Sequence, residues 1–349
     1  RLLMSTDKKI FLISEINKAK KLIREKKIIQ KRVINPKKFN LFLDRLKIKG
    51  NIITDSRTCS IFYENIIKNR FKMINKEDPI YLLKSIKNPT EINNMISSHI
   101  IDGVALTKFI YWIKILNNKR ISEVDAQNKL EKFRKKNKKY LFPSFNTIAG
   151  TASNGAIVHY RARKNNTKKI QKNDIFLCDS GGQYEYGTTD VTRTICFSNP
   201  KLKIKNIFTQ VLKGHIAVVS SNLNKVKYGK LIDINARKYL KKSKLDYEHG
   251  TGHGVGFFSN VHEGPQAISK FNNIKIHEGM ILSNEPGYYK KGKFGIRIEN
   301  LVYVKKLKKK LMFENLTLAP IEKNLINYEK LDKKEKEYLF KYHLDVYMK

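Results

Sequence analysis

The chain is 349 residues long, 41% hydrophobic and 10% aromatic, which excludes a disordered polymer and provides for one large or two ordinary domains. No apolar run approaches the about 18 residues of a membrane span and no apolar leader opens the sequence, so a cytoplasmic protein without membrane contact is expected. The formal net charge of +40 is spread along the chain among Ile and Asn, with one dense run from Lys305 to Lys310, so composition bias is expected rather than a nucleic-acid surface.

Residues 1–82 read as short alternating elements. Strands are expected from Lys9 to Ser14 and from Asn51 to Thr54, and helices from Glu15 to Lys27 and, behind an Asp55-Ser56 cap, from Ser56 to Lys68. The pattern is that of the tail of an α/β domain, and the start on Arg1 rather than Met carries the expectation of a fragment. Asn88-Pro89-Thr90-Glu91 opens a helix to about Leu116 that buries Ile92, Met95, Ile96, Ile100, Val104 and Leu106. Ser122-Glu123-Val124-Asp125 has the form of a capping box and opens another, to about Asn137.

From Ser144 the period shortens. Strands are expected at Ala156 to Tyr160, Asp174 to Asp179 and Thr188 to Phe197, then helices at Ile204 to Leu223 and Leu231 to Lys241. Further strands follow at Gly279 to Asn284, Gly295 to Val304 and Leu316 to Leu318, and an amphipathic helix from about Tyr328 closes the chain. So few βαβ alternations imply an α+β domain with a mainly antiparallel sheet. Cys59, Cys178 and Cys196 form no C-x-x-C pair, which argues against a zinc knuckle or a disulfide framework.

Between the last helices and strands, Glu248 to Pro265 holds His249, His253 and His262 among glycines that let the backbone pass close to whatever the imidazoles hold. A helical H-E-x-x-H site is excluded by Gly250, Gly252 and Gly254, and a dinucleotide fingerprint by Val255. Gly287 to Lys293 spells most of a P-loop, but Phe294 stands where Ser or Thr is required, so a lysine-rich hairpin is expected. The flanking strands carry acids. Asp179 ends an apolar run, Asp190 lies in a strand without other acids, Glu285 follows an apolar strand, and Glu299 has Arg297 two residues earlier on the same face. Singly, each is a strand end or an ion-pair partner. Together with an imidazole they suit hard divalent ions such as Mn²⁺, and also Zn²⁺ or Co²⁺, and four carboxylates can neutralise two of them.

The motifs Ser153 to Tyr160, Asp179 to Tyr184, Gly187 to Thr194, His249 to Pro265, Asn284 to Tyr289 and Phe294 to Asn300, in this order, make the chain resemble the aminopeptidase P family, of the long cytosolic type, within the creatinase and methionine aminopeptidase superfamily. The resemblance covers roughly residues 85–345. It implies a pita-bread catalytic domain at 83–349 with a C-terminal helix, preceded at 1–82 by part of a creatinase-like α/β domain. It implies two divalent ions, Mn²⁺ foremost, held by Asp179, Asp190, His253, Glu285 and Glu299, with Asp190 and Glu299 bridging. His159, His249 and His262 match the family's substrate-contacting histidines. Glu285 is then the expected proton carrier, His249 and His262 its partners, and Arg297 a substrate-side group that also holds Glu299. The implied activity is release of the first residue from peptides with proline second, by a homodimer. The alternatives are a prolidase, a methionine aminopeptidase, or a non-catalytic pita-bread protein that uses its charge to bind RNA or acidic proteins.

Overall fold

The computed structural model describes residues 2–5, 7–46, 50–115 and 121–349. Contacts divide the chain into two units, Arg1–Ile80 and Tyr81–Lys349. In the first, Ile10–Ile13 lies between Leu2–Met4, antiparallel, and Val33–Ile34, parallel, while Asn51–Thr54 and Lys72–Asn75 form a second parallel pair. Parallel neighbours need crossovers. Ile16–Arg24 and Ile61–Lys68 provide them, and Ile13, Phe39, Leu43 and Ile67 form the buried core. The Asp55-Ser56 pair starts no helix. Asp55 accepts from the Arg57 and Asp78 N–H groups, which commits its carboxylate to a turn, and the helix begins at Ile61 instead.

The first long helix of the second unit is Pro89–Ile115, where the Asn88 N–H donates to Glu91 Oε2 and the Glu91 N–H donates to Asn88 Oδ1. Leu116, its expected end, lies outside the described residues. The buried face holds Met95, His99, Asp102, Leu106, Phe109 and Ile113, whereas Val104 is exposed. Polar groups enter this face because Asp102 is matched: Arg134 Nε donates to it at 2.7 Å and the Tyr184 hydroxyl at 2.6 Å. Arg134 ends the helix Glu123–Arg134, whose N-terminus is the capping box expected at Ser122 and Asp125.

Two antiparallel ladders carry the rest. Ile148–Thr151, Ile175–Ser180 and Val191–Cys196 form one, and Ile281–Asn284, Asn300–Leu307 and Lys310–Asn315 the other. Helices Leu202–Val219 and Gly229–Lys241 bury Phe208, Val211, Leu212 and Leu240 in a core that the C-terminal helix Lys333–Met348 completes with Leu339 and Tyr342. Gly287–Lys290 and Phe294–Arg297 form the expected hairpin, turning at Gly292 with φ +70°. Other expectations are corrected. Ala156 to Tyr160 is not a strand but the end of the 3-10 turn Ala152–Ala156 and the turn after it, and Leu316 to Leu318 is a loop, the strand lying at Lys310–Asn315. The strands expected to run through Asp190 and Glu299 are each interrupted there. Among the described residues no helix is long and apolar enough to cross a membrane.

Candidate metal centre

The ladders deliver the acids in pairs. In the first, Thr192 lies opposite Asp179 and Val191 opposite Ser180, so Asp190 enters at the end of the ladder that Asp179 occupies. In the second, Asn284 pairs with Asn300, so Glu285 and Glu299 flank the last pair on the two sides. The histidine arrives on the short strand Gly252–His253, which pairs with Ala267–Ile268, while Gly254 bridges to Leu282. A Cβ on Gly252 would collide with the Ser283 carbonyl oxygen, so only glycine allows this approach. The His253 N–H donates to Ser283 Oγ at 2.9 Å, and its Nε2 lies 3.5 Å from Asp190 Oδ2 and 3.4 Å from Glu285 Oε1.

All five expected donors therefore meet. Asp179, Asp190 and Glu299 each offer an oxygen within 4.8 Å of one another, and His253, Glu285 and Glu299 do the same. His262 also converges with Asp190 and His253, its ring 3.7 Å from that of His253, so geometry alone does not separate it from the donors. The electrostatics are those of acids crowded without enough cations. Burial, followed by the negative charges of Asp179 and Glu285, holds Asp190 well above the usual carboxylate range, and Glu299 is raised by burial and by Asp190, Glu285 and Asp179. For Glu285 burial also favours the neutral acid, but His253, His249, Arg297 and the Ser283 hydroxyl outweigh it and keep the carboxyl below its ordinary value. Asp179 Oδ1 and Asp190 Oδ1 are buried without a hydrogen-bond partner. Orphaned buried oxygens on mutually repelling acids, with one imidazole among them, fit a centre built for divalent cations.

The surrounding residues depart from expectation in two places. Arg297 does not hold Glu299. It is 2% exposed, and its Nη2 donates to Asp179 Oδ2 at 2.5 Å, its Nε to Thr192 Oγ1 at 3.0 Å and its Nη1 to Tyr289 OH at 2.6 Å, which leaves no free face for a substrate. The strand ends at Arg297, so the same-face relation to Glu299 is lost, and Glu299 instead accepts from Thr192 Oγ1 at 2.7 Å. His249 is engaged on both nitrogens, Nδ1 with Gly250 O and Nε2 with Tyr289 OH, each at 2.8 Å. Because Arg297 donates to the Tyr289 oxygen, the phenol proton is directed at His249 Nε2. His159 and His262 are exposed. His262, though exposed at its rim, is pushed down to about 4 by partial desolvation of its ring and then by the neighbouring His253, with His159 adding to the effect. Thr192, Tyr289 and Arg193 carry no local pattern that marks them; only their long-range hydrogen bonds do. A separate cavity of about 340 Å³, lined by Ile110, Lys114, Thr194, Ile321 and His343 among others, contains none of the expected donors.

The description of metallopeptidase family M24 matches residues 93–306, and that of the C-terminal region of the same peptidases matches residues 309–349. A Laccaria bicolor protein named "Probable Xaa-Pro aminopeptidase P" is 42% identical over 322 residues, 88% of this chain and 49% of its own length. One of the same name from Podospora anserina is 46% identical over 275 residues, 75% of this chain and 40% of its own length. The chain thus spans less than half of each of these relatives. The crystal structure of a Caenorhabditis elegans X-prolyl aminopeptidase, described as a cytosolic enzyme with a di-nuclear active site, matches with a TM-score of 0.85 at 31% identity, over 97% of this chain and 57% of that one. The fold is accordingly the pita-bread fold, α+β in class, and the chain belongs to metallopeptidase family M24.

Proposed function

We propose that this chain is the catalytic part of a dinuclear-metal exopeptidase that releases the first residue from peptides with proline in second position. The observation that carries the reading is the convergence of Asp179, Asp190, His253, Glu285 and Glu299 with two buried carboxylate oxygens left unpartnered. The names of the relatives support the proline specificity. Asp179, Asp190, His253, Glu285 and Glu299 are the residues that would hold the two ions. Two bound dications, Mn²⁺ foremost with Zn²⁺ or Co²⁺ as alternatives, supply Lewis acidity and a nucleophilic water at neutral pH.

The residues of the chain do the rest. Glu285, kept ionised, takes a proton from the attacking water and passes it to the leaving proline nitrogen. His262, which is exposed and neutral at pH 7, and His159 contact the substrate, and His249 acts through Tyr289 as a positioning group. Arg297 fixes the Asp179 carboxylate. Residues 1–82 are read as creatinase-like α/β structure, which their parallel strand pairs support, and the assembly as a cytosolic homodimer.

The test is metal analysis combined with hydrolysis of the tripeptide Arg-Pro-Pro before chelation, after it, and after return of Mn²⁺. Release of arginine that follows the metal is expected. Activity unchanged under complete chelation would overturn the reading, and cleavage confined to Xaa-Pro dipeptides would identify a prolidase instead.

A further inference from the structure

We propose that Arg193 and Tyr342 are positioning residues for Glu299, so that the C-terminal helix sets the geometry of the metal centre; this rests on the metal-centre reading above. Glu299 sits in a break between two strands and has no ladder partner of its own. What holds it comes from two consecutive residues of the neighbouring ladder. Its N–H donates to the Thr192 carbonyl at 3.1 Å, its carboxylate accepts from the Thr192 hydroxyl at 2.7 Å, and its carbonyl accepts from Arg193 Nη1 at 2.6 Å.

Arg193 is 1% exposed, and each of its side-chain hydrogen bonds goes to an uncharged acceptor. Its charge is satisfied by neutral acceptors: the carbonyls of Thr192 and Glu299 on Nη1, of Pro320 on Nε, and on Nη2 the carbonyl of Ala319, the Asn300 amide oxygen and the Tyr342 hydroxyl, the last three all at 2.8 Å. A buried cation without a counterion is tolerated when its donors are satisfied, and here the two hydrogens of Nη2 are shared among three acceptors, so the placing of the Tyr342 hydroxyl beside Ala319 and Asn300 helps to set where the guanidinium lies. Ala319, Pro320 and Tyr342 lie beyond residue 306, in the C-terminal region that matches separately from the peptidase core. Tyr342 also donates to the Ala319 carbonyl at 2.8 Å, which keeps that acceptor aligned. The link is therefore continuous, from the C-terminal helix through one hydroxyl to Arg193 and from Arg193 to the backbone of Glu299.

Tyr342→Phe removes the hydroxyl and keeps the ring. Tyr338→Phe is the control: it lies on the same helix, but its hydroxyl accepts from Asn315, which reaches Arg193 only through Asn300. Each full chain is titrated with Mn²⁺ against a chelator, and kcat and KM are measured with Arg-Pro-Pro. Tyr342→Phe is expected to weaken Mn²⁺ binding about tenfold, at the lower end of what loss of an outer hydrogen-bond partner does, and to lower kcat with KM unchanged, while Tyr338→Phe binds Mn²⁺ as the wild type does. If Tyr342→Phe does not fold, Arg193→Lys, which keeps the charge and drops the fork, carries the same expectation. Wild-type Mn²⁺ affinity in the folded variant, or an equal loss in Tyr338→Phe, overturns the inference alone. A wild-type chain that binds no divalent ion overturns the metal-centre reading and the inference with it.

Discussion

Replacing Arg297 by Lys and by Met separates charge from geometry around Asp179. The guanidinium serves Asp179, Thr192 and Tyr289 at once, through three different nitrogens. A lysine ammonium keeps the charge but is a point donor on a flexible stem, so it can serve Asp179 and must release the other two. Two hydrogen bonds at about 1 kcal/mol each give about 2 kcal/mol, or roughly thirtyfold in kcat/KM if both are needed to orient the centre. Methionine removes the charge as well and leaves Asp179 unpaired beside Asp190 and Glu299, for which the loss of a buried partner costs about 3–5 kcal/mol. The assay is equilibrium unfolding in the presence of chelator together with kcat/KM on Arg-Pro-Pro at saturating Mn²⁺. The order wild type, Lys, Met is expected in both. A lysine variant equal to wild type would show that the fork orients nothing, and one as impaired as methionine would show that the charge on Asp179 is immaterial.

Glu285→Gln is expected to lower kcat by about 10²–10⁴ with an unchanged circular dichroism spectrum; full activity would remove Glu285 from proton transfer. His215, buried beside the Asn284 carbonyl, is pushed down to about 3 by burial and then by the charge of Arg193. The unfolded chain takes up this proton near pH 6.5 and the folded one does not, so stability is lost as pH falls from about 6.5 towards 3, at up to about 1.4 kcal/mol per pH unit. His215→Gln should flatten the dependence of the urea midpoint on pH between 6 and 4, and an unaltered slope would contradict the assignment. Gly252→Ala should cost about 1–3 kcal/mol and weaken metal binding, because the new methyl meets the Ser283 carbonyl; a wild-type melting temperature would contradict the close approach.

The convergence of Asp179, Asp190, His253, Glu285 and Glu299 was legible because these residues stand at places where the sequence breaks its own pattern: an acid at the end of an apolar strand, a histidine between glycines. What escaped depends on contacts between distant segments. Residues such as Thr188 to Phe197 have strand composition throughout, and nothing local records that Asp190 falls in a gap and turns toward Glu299 and His253. The pairing of Arg297 with Glu299 failed for the same reason, since an i, i+2 relation holds only while the strand continues and this one stops at Arg297. Val104 was placed inside by helical periodicity, whereas the interior of that helix accepts Asp102 because Arg134 and Tyr184 come from elsewhere to meet it. Arg193 reads as one more surface cation in a chain with 71 Lys and Arg, and its burial follows from carbonyls and a hydroxyl that lie more than a hundred residues away.

The pairing of Asn284 with Asn300 has a consequence for chains that fold incorrectly. A slip of one residue between these strands shifts Glu285 relative to Glu299 and reverses the face of the strand that slips, so a single error keeps the two acids from meeting. A molecule with the wrong alignment then gains nothing from the cation, whereas a correctly aligned one is stabilised in proportion to how tightly it binds. Divalent ions present while the chain folds would thus select the proper alignment of this sheet, and the fraction of chains that retain metal would count those that reached it.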